Sequence, residues 1–84
     1  MVYEEVFEPI DVITVFQNGK LQPLRFKWKD SVYRISKVQS HWMVPQAQGR
    51  AYHFAVTTGS PDSFEIIFSD SDLKWQLARV AMDG

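Results

Sequence analysis

Leu24-Arg25-Phe26-Lys27-Trp28-Lys29 alternates apolar and cationic side chains without a break. A period of two marks a β-strand with two unlike faces. Leu24, Phe26 and Trp28 are predicted to face a core, and Arg25, Lys27 and Lys29 to face away from it. Upstream, Val12-Ile13-Thr14-Val15-Phe16 is rich in β-branched residues and reads as the preceding strand. Asn18-Gly19 lies between the two, and a type I′ hairpin turn needs the positive φ that this pair supplies. Pro23 cannot donate to a ladder, so the start of the second strand, Leu21 to Trp28, belongs at an edge or a bulge.

Lys29-Asp30 reads as a tight turn into a third strand from about Ser31 to Met43. Its apolar parity changes between Ile35 and Val38, which predicts a bulge near Ser36-Lys37 and a sharp bend. Pro45 to Gly49 is a loop. Tyr52, Phe54 and Val56 mark a fourth strand, and Phe64, Ile66 and Phe68 a fifth. Leu73, Trp75 and Leu77 begin a sixth, which must shift parity to reach Val80. Turn-forming clusters at Thr58 to Asp62 and Ser69 to Asp72 separate the last three strands.

These elements predict an all-β fold. It is an antiparallel meander of about six strands, formed as a curled sheet or a small SH3-like barrel. The 84 residues make one domain with a thin core, since a chain of this size buries only about 60–65% of its unfolded surface. The predicted core runs from Ile13, Val15, Leu24, Phe26 and Trp28 through Tyr33, Ile35 and Val38. It continues with Tyr52, Phe54, Val56, Phe64, Ile66, Trp75, Leu77 and Val80. Residues 1–9 read either as a helical turn ended by Pro9 or as an extended N-terminal arm.

There is no cysteine, which excludes a disulfide framework and thiolate metal sites. No apolar run approaches the roughly 20 residues that span a bilayer. The acidic start, Glu4-Glu5, is unlike a secretory signal. The chain therefore reads as a cytoplasmic protein without membrane contact. The net charge of −1 is unevenly spread. Lys20 to Arg50 holds seven cations and one carboxylate, with acidic stretches on either side. Such a basic middle is the footprint of a polyanion-binding patch, and also of a solvated strand face guarded against edge pairing.

Catalytic and cofactor motifs are missing. His41 and His53 with Asp70 or Asp72 have no metal-site spacing. Asp70-Ser71-Asp72 lacks the glycine and terminal glutamate of a calcium loop. No nucleophile elbow or phosphate-cradling glycine loop is present. The expectation is no enzyme, no metal and no cofactor. What remains is a binding module. Arg25, Lys27, Lys29, Arg34 and Lys37 are the candidate polyanion-binding residues, and Trp42 is a candidate for stacking on a base or lining an aromatic groove. Single-stranded or gapped DNA is the expected polyanion. The alternative is a protein–protein adaptor or homodimer, with a groove around Trp42, Tyr3 and Phe7.

Pro23-Leu24-Arg25-Phe26-Lys27-Trp28, Tyr33-Arg34-Ile35, Trp42, Arg50 with Tyr52-His53-Phe54-Ala55-Val56, and Lys74-Trp75-Gln76-Leu77 with Arg79-Val80 occur in that order. From Asp11 to Asp83 the chain resembles a small domain family of unknown function. That family is found alone, or beside or fused to ImuB-type Y-family DNA polymerase homologues. The resemblance implies a DNA-repair accessory role and assigns no catalytic residue. The chain differs from that family at Lys29-Asp30-Ser31, where the family is richer in arginine.

Overall fold

The computed structural model describes residues 2–82. Within them are seven strands and no helix: β1 (Val2–Gln17), β2 (Lys20–Trp28), β3 (Ser31–Arg34), β4 (Lys37–Pro45), β5 (Arg50–Thr57), β6 (Ser63–Ser69) and β7 (Lys74–Met82). All pairings are antiparallel, in the order β3-β2-β1-β7-β6-β5-β4. The sheet is curled. Its two outermost strands, β3 and β4, are consecutive in the chain and are joined only by Ile35-Ser36.

β1 creates the curl by serving two layers. Up to Ile10 it pairs with β7, and from Asp11 onward it pairs with β2. One layer therefore contains β4, β5, β6, β7 and the first half of β1. The other contains the second half of β1, β2 and β3. Residues 2–9 are thus extended and not a helical turn, but they do not stand off as an arm. They form a strand laid against β7, with a bulge at Val6-Phe7 where Phe7 has φ 50°. Met1 lies outside the described residues.

The turns match their sequences. Asn18 and Gly19 have φ of 53° and 74°, and Lys29 and Asp30 have 50° and 63°, as a type I′ turn requires at both central positions. The predicted long third strand is two strands. At the expected bend the chain leaves one layer for the other, and each linking amide is satisfied by a different side. Ile35 N–H donates to Leu24 O (3.0 Å), and Ser36 N–H donates to Thr57 O (2.8 Å).

Phe26 pins the layers together. It stacks on Tyr33 (centroids 5.0 Å apart, 14° between planes) and meets Phe64 of the other layer edge-on at 5.4 Å. Phe54, Phe68 and Trp75 continue the core, with Trp75 5.8 Å and 5.0 Å from the two phenylalanines. Ile10, Val56, Ile66, Leu77 and Val80 complete it. Trp28, Tyr33, Ile35, Val38 and Tyr52 pack against this core while only partly buried. The parity shift before Val80 is a bulge at Ala78, which has no partner on β6.

Three predicted core residues point away from the core. Ile13 is 53% and Leu24 40% exposed. The cause is one bulge. Ile13 pairs with Arg25 and Thr14 with Pro23, which leaves Leu24 unpaired against β1. Pro23 takes the buried position instead, and Ile13 shares the solvent face with Arg25. Val15 is likewise on that face and only partly buried.

Candidate polyanion-binding face

The outer face of the three-strand layer is assembled by register. Arg25 pairs directly with Arg34, and Lys27 with Val32. Arg25 and Lys27 are two apart on one strand, so these four side chains share a face. Lys20 joins them. The bulge at Leu24 reverses parity, which puts Lys20 and Gln22 on the same side as Arg25. All four cations, Lys20, Arg25, Lys27 and Arg34, are exposed. Val32, 63% exposed, sits beside Lys27 and Arg34, and Ile13, 53% exposed, flanks Arg25 from β1.

Like charges directly opposite on neighbouring strands destabilise a sheet by roughly 0.2–1 kcal/mol. Arg25 and Arg34 are such a pair. Among the described residues the only side-chain ion pairs are those of Glu65 with His53 and Arg79, so no carboxylate neutralises this face at contact distance. Asp11 stands opposite Lys27 in register without forming an ion pair.

The other predicted residues are placed differently. Lys29 sits in the β2–β3 turn with its Nζ 4.9 Å from the centre of the Trp28 ring, folded over the side away from Arg25. Trp28 itself donates from Nε1 to Glu8 Oε1 (2.8 Å), which ties β2 to the first half of β1. Lys37 is beyond the Ile35-Ser36 corner, at the start of β4 opposite Thr57. Trp42 does not join the basic face. It lies five residues past Lys37, roughly 16 Å along the strand. It is 41% exposed and stacked on His53 (5.2 Å, 18°). Nor does Trp42 share a groove with Tyr3 and Phe7, because β5, β6 and β7 stand between β4 and β1.

His53 is on the outer face of β5 and is held there. Its Nδ1 is 3.3 Å from Glu65 Oε2, and Glu65 Oε1 is 3.6 Å from Arg79 Nε. His41 lies on the opposite side of its strand, against Phe54 at 6.3 Å, so the two imidazoles do not converge. Among the described residues no group of histidines and carboxylates gathers as a metal site would.

Lys20 is the residue that the periodicity missed. Its signal was Pro23: once a bulge is placed just after the proline, every earlier residue of the strand changes face. No family model, no curated protein and no solved structure matches the chain. Among the described residues no helix is long and apolar enough to cross a membrane.

Proposed function

We propose that the chain is a non-catalytic nucleic-acid-binding module, and that the outer face of β2 and β3 holds the phosphates of single-stranded or gapped DNA. Lys20, Arg25, Lys27 and Arg34 carry the contacts, with Lys29 and Lys37 at the margins. The observation that carries the proposal is the Arg25–Arg34 pair. It costs the fold stability and has no carboxylate to relieve it, and an anionic ligand between the two guanidiniums turns the repulsion into attraction. Exposed Ile13 and Val32 offer apolar surface beside the phosphates for sugars and bases. The resemblance to domains that accompany ImuB-type polymerase homologues supports DNA as the polyanion. The second reading, a protein–protein contact, is favoured by the exposed apolar residues of β4.

Phosphate contacts release counterions, so affinity falls with salt at about 0.7 logarithmic units per contact on a single strand. Four cations give a log–log slope near about −2.8. The test is a fluorescence-anisotropy titration of a labelled oligothymidylate over a range of salt. A slope near that value supports the proposal. No binding at low salt, or an affinity indifferent to salt, overturns it.

A further inference from the structure

A β-sheet edge presents unpaired N–H and C=O groups, and folded proteins guard such edges with charge, proline, bulges or covering segments. The edges of this sheet differ in how they are guarded. The first half of β1 carries Glu4, Glu5 and Glu8 and a bulge at Val6-Phe7. β3 is four residues long and ends in Arg34. β4 pairs with β5 alone and is the last strand of the sheet. From Val38 to Gln48 it and its loop hold no Lys, Arg, Asp or Glu. Trp42, Met43 and Val44 are 41%, 46% and 40% exposed in succession.

We propose that this edge pairs with the same edge of a second copy of the chain, antiparallel, about a two-fold axis through Trp42. A two-fold sets a strand against its own reverse, so any charge near the axis meets its like. β4 meets that condition because from Val38 to Pro45 it holds no Lys, Arg, Asp or Glu. The same operation on β1 would set Glu4 or Glu5 against its own copy, and on β3 would bring the two copies of Arg34 close together.

The register follows from the strand's limits. Gln39 is bulged out of the pairing with β5, and Pro45 has no N–H to extend a ladder. The usable edge is Ser40 to Val44, whose midpoint is Trp42. Directly opposed residues share a face, so Trp42 meets Trp42 of the second copy. Ser40 then meets the second copy's Val44, and His41 meets its Met43. Trp42 is already fixed by its stack on His53, so little freedom is lost when the two indoles meet. The aromatic surface that the monomer lacks is thereby built between two copies. The interface is short, so association belongs in the weak range, with Kd about 10 μM to 1 mM. It is independent of the basic face, and either proposal can fail alone.

Sedimentation equilibrium of the full chain tests the association, and engineered thiols test the register, since the chain has no cysteine of its own. The apparent mass is expected to rise from 9.8 kDa toward twice that value with concentration. Under mild oxidation Trp42→Cys is expected to cross-link, because opposed Cα atoms about 4.5–5.5 Å apart fit a disulfide. Ser40→Cys alone is expected not to cross-link, but a mixture of Ser40→Cys and Val44→Cys chains is expected to form the mixed disulfide. That mixture keeps the test intact if Trp42→Cys fails to fold. A chain that stays monomeric up to roughly 1 mM, the weak limit of specific association, overturns the proposal. So does cross-linking of Ser40→Cys as readily as of the mixture.

Discussion

Arg79 and Arg34 both lie on the outside of a strand, yet they are engaged in opposite ways. Arg79 stands opposite Glu5 on one side and Glu65 on the other, and its Nε lies 3.6 Å from the Glu65 carboxylate. That carboxylate also holds His53, which stacks on Trp42, so a row of side chains ties β4, β5, β6 and β7 together. Arg34 stands opposite Arg25 with no such partner. One arginine is therefore engaged within the fold, and the other is left open to solvent. A count of cations along the chain cannot separate these cases. The cross-strand partner of each cation decides which are available to a ligand.

The contrast breaks most completely if the layers come apart. Phe26→Ala should cost about 3–5 kcal/mol, the range for a buried aromatic, against a total near the low end of roughly 5–15 kcal/mol. Thermal denaturation followed by circular dichroism should find the variant largely unfolded at 37 °C. Trp28→Ala should cost less, about 3 kcal/mol, because the ring is only partly covered although it also loses its bond to Glu8. A variant of Phe26 that melts within a few degrees of the native chain would remove the pin between the layers.

The next effect sharpens the difference between open and engaged cations. Arg25→Glu with Arg34→Glu should remove two phosphate contacts and halve the salt slope to about −1.4. Arg79→Gln should leave DNA affinity and slope unchanged. Equal losses in both variants would show net charge, not the face, to be responsible. Glu65→Ala should lower stability by about 1 kcal/mol in urea denaturation, since it leaves the half-exposed Arg79 and His53 without their carboxylate. The smallest effect has the opposite sign. Arg34→Thr should stabilise the chain by a few tenths of a kcal/mol by relieving the like-charge pair, while weakening DNA binding.

The alternation from Leu24 to Lys29 correctly gave an all-β chain and put Arg25 and Lys27 on one side, because period two is a local property. Asn18-Gly19 and Lys29-Asp30 gave both hairpins for the same reason. Ile13 and Leu24 were misplaced because a bulge depends on what the neighbouring strand does, and neither residue shows that locally. Residues 2–9 were ambiguous because their pairing partner, β7, is the most distant strand in the sequence. The pairing of Arg34 with Arg25 was legible in principle, since a two-residue turn at Lys29-Asp30 fixes it by counting. Trp42 is absent from the predicted core and 41% exposed in the fold, but its stack on His53 depends on the β4–β5 register, which the loop from Gln46 to Gly49 sets.

The double service of β1 has a consequence for how the chain matures. Its second half finds β2 a few residues away and can zip into a hairpin within microseconds. Its first half has to wait for Lys74–Met82. During synthesis the first half of β1 therefore leaves the ribosome before every other strand of this sheet and has to wait for the last of them. Contacts this distant in sequence slow the search for the native state. Until β7 emerges, the nascent protein exposes the acidic edge of β1 and the unfinished edge of β6, so the glutamates at 4, 5 and 8 act as a solubility guard for an unfinished chain.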